Sequence, residues 1–193
     1  MGAPGAAQAA RMGYAFAMRV ADLDLLFVPE AGVVSPDHWI ERWSGKLSTA
    51  QRVEADEPAA TVSRIVAKAQ AATRPVVLIG HSTGAVAAAL AAPALDATKV
   101  VGAFFVAPPD ESTLATLDGL WPAMPRARLL FPSVLVASRT DPWASLAQSQ
   151  TLAQEWGAEF IDAGDAGRLD AESGHGPWPD GLLRLAAFLR KLS

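Results

Sequence analysis

From Met18 onward, short runs of consecutive apolar residues alternate with longer stretches in which apolar positions recur every three or four residues. The short runs at 23–28, 76–79, 100–106, 134–137 and 160–163 read as strands, with 50–54 a weaker one. Between them, 61–71 has helical spacing, with Val62, Ile65, Val66 and Ala69 on one face. Residues 37–43 read as a helix with Asp37 as its N-cap, and 84–92 as a helix of small residues. A helix over 142–156 would carry Pro142 in its first turn. The last helix places Leu182, Leu185, Ala186, Leu189 and Leu192 on one side. Near-continuous apolar strands separated by helices imply a sheet buried on both faces. The pattern therefore predicts an α/β fold of three αβα layers, doubly wound around a mostly parallel sheet.

Composition narrows this picture without changing it. A chain of 193 residues, 51% hydrophobic and 19% charged, is long enough to bury a full core in one domain. Residues 18–193 are expected to form that domain. Residues 1–17, rich in Ala and Gly, read as an N-terminal extension: a disordered tail, an upstream start, or at weaker odds a transit segment. A net charge of −4 gives no basic face for nucleic acid, and no apolar run is long enough to span a bilayer. The absence of cysteine excludes disulfides and thiolate chemistry and fits a cytoplasmic location. No spacing of metal ligands, phosphate loop or dinucleotide fingerprint is present, so no cofactor and no metal are expected. The expected partner is a small-molecule substrate or ligand, and the oligomeric state is open.

The chemistry is carried by Val76-Val77-Leu78-Ile79-Gly80-His81-Ser82-Thr83-Gly84, which precedes an alanine-rich run. Gly-X-Ser-X-Gly between a buried strand and a helix is the layout of a nucleophile elbow. The glycines are needed because strand and helix backbones pass too closely for a Cβ. Ser82 should then occupy a sparsely allowed backbone conformation, with the Thr83 N–H facing a cleft as an oxyanion donor. A triad on such a sheet runs Ser, then acid, then His. After the strand at 134–137 comes Ser138-Arg139-Thr140-Asp141-Pro142, which makes Asp141 the candidate acid. Capping a helix that starts at Pro142 is a second role it can hold at once.

Several segments occur in an order that resembles one family. They are Asp37-His38-Trp39, Arg52-Val53-Glu54, Gly80-His81-Ser82-Thr83-Gly84, Ala107-Pro108-Pro109-Asp110, Ser138-Arg139-Thr140-Asp141-Pro142 and the run from Ala171 to Pro179. Together they resemble the small, lidless serine hydrolases related to YdeN and retinoblastoma-binding protein nine. The resemblance implies an α/β-hydrolase core without a large cap, and esterase- or amidase-like activity on undefined substrates. The stretch from Asp110 to Phe131 could at most cover the site, with Leu120, Trp121 and Met124 as pocket walls or core.

Two departures from the family pattern stand out. The resemblance puts the catalytic histidine in a Gly-His-Ile-Asn segment, where this chain reads Gly167-Arg168-Leu169-Asp170. An arginine has no lone pair with which to accept a serine proton. The loop after the first strand, glycine-rich in the family, reads Val28-Pro29-Glu30-Ala31-Gly32. It would supply the second oxyanion N–H at Glu30, whose carboxylate would oppose a developing negative charge unless it points away.

Three histidines could replace the base. Strand alternation turns His81 away from Ser82, and His38 reads as structural. His175 lies in the right loop, seven positions beyond Arg168 and flanked by glycines, and is the candidate relocated base. Arg168 is expected to pair with Asp141. Two functions remain open: a serine hydrolase using Ser82, Asp141 and His175, or a degenerate hydrolase that keeps its pocket for binding.

Overall fold

The computed structural model describes residues 19–118 and 120–192. The extension expected at 1–17 therefore lies outside the described residues. Six strands form one sheet in the order β2-β1-β3-β4-β5-β6, with every neighbouring pair parallel. They are β1 (Asp24–Val28), β2 (Ala50–Arg52), β3 (Val76–His81), β4 (Val100–Val106), β5 (Ser133–Ala137) and β6 (Glu159–Asp162). Six helices connect or follow them: α1 (Trp39–Ser44), α2 (Pro58–Ala71), α3 (Thr83–Ala91), α4 (Glu111–Leu114), α5 (Leu146–Trp156) and α6 (Pro179–Leu189).

Strand alternation divides the core in two. Leu26, Val28, Val76, Leu78, Phe105 and Leu135 pack beneath α2, α3 and α5. Leu25, Phe27, Val77, Ile79, Phe104 and Val136 pack against α1 and α6. Adjacent residues of one strand thus serve opposite layers, which is why β1, β3 and β4 lack polar alternation. The chain winds outward from β1 to β2 and then crosses back to β3. The switch point falls between the carboxyl ends of β1 and β3, where open α/β sheets place their ligands.

Several helices differ from the sequence expectation, and α2 begins at Pro58 rather than 61. α1 is capped by His38 rather than Asp37, because the His38 Nδ1 accepts the Ile40 N–H at 3.1 Å. α5 begins at Leu146, not Pro142, since Ser145 and Gln148 form a reciprocal capping box there. Residues 142–145 remain loop and carry Trp143 toward the centre of the carboxyl edge. The short α4, not foreseen, is capped by Asp110, whose Oδ1 accepts the Thr113 N–H. Among the described residues no helix is long and apolar enough to cross a membrane.

Candidate active site

Ser82 sits between the last residue of β3 and the first of α3, at φ 53° and ψ −126°. A non-glycine residue held in this region is strained, by an amount on the order of 1–3 kcal/mol. The neighbours enforce the strain. A Cβ on Gly84 would lie 2.1 Å from the Val28 carbonyl oxygen, and one on Gly80 would lie 2.6 Å from the Ala85 Cα. The Ser82 N–H donates to the Val106 carbonyl at 2.9 Å, which fixes the turn to β4. The elbow therefore leans directly on the end of β1.

That contact brings the β1 loop over the start of α3. The Ala31 N–H donates to Thr83 Oγ1 at 2.8 Å and locks the loop to the elbow. Pro29 has no N–H, so Glu30 supplies the next donor. Among the described residues neither the Glu30 nor the Thr83 backbone N–H has a hydrogen-bond partner. Both residues line a cavity of about 400 Å³, together with Trp121 and Trp143. Two unpaired N–H groups beside the buried Ser82 are the elements of an oxyanion hole.

Opposite the serine stands Arg168, its side chain 19% exposed. Its Nη2 donates to Ser82 Oγ at 3.1 Å and to Glu30 Oε2 at 2.5 Å. Its Nη1 lies 3.3 Å from Asp170 Oδ2, and its Cζ lies 3.5 Å above the Trp143 ring. The expected pairing with Asp141 is replaced by Glu30 and Asp170; no Arg168–Asp141 ion pair forms among the described residues. The two departures seen in the sequence are thus one feature, an ion pair across the nucleophile. Glu30 turns its carboxylate onto the guanidinium, which offsets the charge expected to oppose an oxyanion. Since the guanidinium only donates, Ser82 Oγ meets a donor where proton abstraction requires an acceptor.

Asp141 lies just past β5 and accepts the Trp143 N–H on Oδ1 at 2.8 Å, closing a turn rather than capping α5. Burial raises its pKa from 3.8 to about 6, against the lowering effects of that hydrogen bond and of the Arg168 charge. Asp170 goes the other way. Hydrogen bonds from Ser173 and the Arg168 charge hold it low, outweighing the desolvation that is the largest single influence on it and would raise it.

None of the three histidines serves Ser82 in this arrangement. His81 is fully buried on the α1 and α6 side, and its Nε2–H donates to the Arg168 carbonyl at 3.0 Å. Its ring lies 4.6 Å from that of His38. Desolvation lowers the pKa of His81 to about 4 and that of His38 to about 3, so both are neutral at pH 7. His175 makes no hydrogen bond to Ser82. Its ring meets Trp178 edge-on at 6.1 Å, and its Nδ1 is buried without a partner. The reason is the path of the loop. Asp170 Oδ1 takes both the N–H and the hydroxyl of Ser173, and Gly176 then passes against the Asp37 carbonyl, where a Cβ would lie 2.9 Å away. The turn before His175 and the contact just after it hold this part of the loop beside the entry to α1. Of the suggested cover residues, Trp121 lines the cavity, Leu120 is 96% exposed and Met124 is buried on the α5 side.

A strained serine on a strand-to-helix turn, free N–H donors before it and an acid beyond β5, all at the carboxyl edge of a parallel sheet, define an α/β-hydrolase. The sequence profile of the serine hydrolases matches residues 25–187, and the chain belongs to that family. Among solved structures it is similar to a YdeN-like hydrolase from Pectobacterium atrosepticum. The identity is 32%, the TM-score 0.79, and the match covers 90% of this chain and 94% of that one. The ydeN gene product of B. subtilis is 16% identical, with a TM-score of 0.66 over 86% of this chain and 98% of its own. A hydrolase of the alpha/beta superfamily from Xanthomonas campestris is 20% identical, with a TM-score of 0.61 over 89% and 97%. These last two share the fold. A search of curated proteins gives no match.

Proposed function

We propose that this hydrolase cleaves a carboxylic ester or amide of a small molecule through an acyl-enzyme on Ser82, and does so slowly because its base position is held by arginine. The observation that carries the reading is the elbow itself: Ser82 at φ 53° with the Thr83 and Glu30 N–H groups unpaired in front of it. The serine oxygen would attack the substrate carbonyl while the two N–H groups receive the oxyanion. The ester or amide bond then breaks, and the alcohol or amine leaves with the proton that the serine gave up through water. Water would then release the acid. Sites that lose a triad member keep a residual rate of about 10³–10⁴ over water from the oxyanion hole and binding. That is the range expected here. We take the substrate to be a small molecule met in the cytoplasm, a compartment that a cysteine-free chain fits.

A second reading has its own observation. The bond from Arg168 to Ser82 Oγ favours a pocket kept for binding, with hydrolysis silent. Labelling with a fluorophosphonate, compared between the native chain and Ser82→Ala, separates the two. Slow labelling that disappears in Ser82→Ala supports the hydrolase. Identical signals from both proteins leave the binding reading.

A further inference from the structure

A larger cavity, about 670 Å³, opens on the other side of the Asp141 loop, between the end of β4 and the face of α5. No residue lines both this cavity and the one in front of Ser82. Its walls are mainly apolar: Pro108, Pro109, Met124, Ala144 and Leu152. The volume falls in the range of small-molecule sites, which combine apolar walls with a few placed polar groups.

The polar groups decide what it would hold. The cation at its rim is already paired, and the Asp110 carboxylate is engaged by neutral donors. Asp110 accepts from Ser112 and Thr113, while Arg126 bridges Glu111 and Glu155 at 2.7 Å each. The Gln148 carbonyl oxygen is taken by Ser145. The exception is Ser149. This residue of α5 is 4% exposed and lines the cavity, yet its hydroxyl bonds to no described group. The hydroxyl is open to the cavity rather than sealed in the core, so a ligand atom can reach it and take the place of water there. An anionic ligand would find no free cation, and a wholly apolar one would leave the hydroxyl unmatched.

We propose that this cavity is a second binding site, separate from the Ser82 cleft, for a neutral and largely apolar small molecule carrying one hydrogen-bonding group that meets Ser149. The walls supply burial, and the hydroxyl sets orientation. Its wall is also the loop that carries Asp141 and Trp143, since the Asp110 N–H donates to the Trp143 carbonyl at 2.9 Å.

Calorimetric titration of the full chain with 1-octanol, and separately with octanoate, tests this. Octanol should bind one saturable site, unchanged in Ser82→Ala, and octanoate should bind at least about tenfold more weakly. Ser149→Ala, which leaves the core volume nearly intact, should weaken octanol about 3- to 10-fold, the worth of one hydrogen bond. Ala147→Trp, at an exposed position on the cavity mouth, should abolish it. Absence of octanol binding overturns the proposal. So does binding lost in Ser82→Ala, binding indifferent to both cavity variants, or octanoate binding as tightly as octanol.

Discussion

The two halves of the active site are held in different ways. On the nucleophile side, backbone is packed on backbone. Gly84 rests on the Val28 and Pro29 carbonyls, Gly80 on the start of α3, and the Ser82 N–H is bonded to β4. On the base side the loop after β6 is gripped by side chains from elsewhere. The Trp39 Nε1–H donates to the Leu169 carbonyl at 2.8 Å and the His81 Nε2–H to the Arg168 carbonyl at 3.0 Å. Position 168 is thereby fixed through its main chain, whatever its side chain. The first half cannot accept a new atom, whereas the second can exchange an imidazole for a guanidinium without moving. Catalytic competence is lost most easily where placement and chemistry are carried by different atoms.

The comparison is sharpened most by rebuilding the base side. Arg168→His with Glu30→Gly should raise turnover of an activated acetate ester by about 10²–10⁴, the usual contribution of a positioned general base. Arg168→His alone should give less, because Glu30 would be left facing Ser82 without its partner. Rates for both variants no higher than Ser82→Ala would show that more than the base is missing.

Breaking the nucleophile side should cost stability instead. Gly84→Ala puts a methyl group 2.1 Å from the Val28 carbonyl oxygen, and overpacking of that kind costs about 3 kcal/mol. For a chain of this size the melting temperature should fall by about 6–12 °C. A change below about 2 °C would mean that the β1 loop yields, and that the contrast between the halves is overstated.

The smallest effect concerns Asp141. Its pKa is raised to about 6, above the unfolded value, so the native state holds an extra proton between about pH 4 and 6. Its contribution is neutral below about pH 4, grows steadily destabilising from about pH 4 to 6, and stays so above. Asp141→Asn keeps the acceptor for the Trp143 N–H and should stabilise the protein at pH 7 by about 1–2 kcal/mol, allowing for partial solvation. The gain should vanish at pH 4. Denaturant melts at both pH values check this, and an equal gain at both would assign it to packing rather than to charge.

The strands could be read from the sequence because a parallel sheet covered on both faces demands unbroken apolar runs. The elbow could be read because only glycine fits beside Ser82. Pro142 points to an earlier start for α5, but the stronger signal is Ser145 followed three residues later by Gln148. His38 as a cap had no comparable signal, since its ring is placed by contact with His81 and Trp39. The Arg168–Glu30 pair was visible only as two separate oddities. The partners lie 138 positions apart, and whether Arg168 turns to Glu30 or to Asp141 depends on rotamers set by the stacking on Trp143. The path that carries His175 away is likewise written in turns from 170 to 176, not in any periodicity.

Ser82 bears on one further question. Its backbone is bent against its own preference in every folded molecule, whether or not a substrate ever arrives. Glycine at 82 would relax that bend and leave the fold more secure. The serine thus works like a spring wound at folding and never released by turnover. In this chain the spring stays wound against an arginine that takes no proton, so the nucleophile's geometry is kept whatever rate the site reaches.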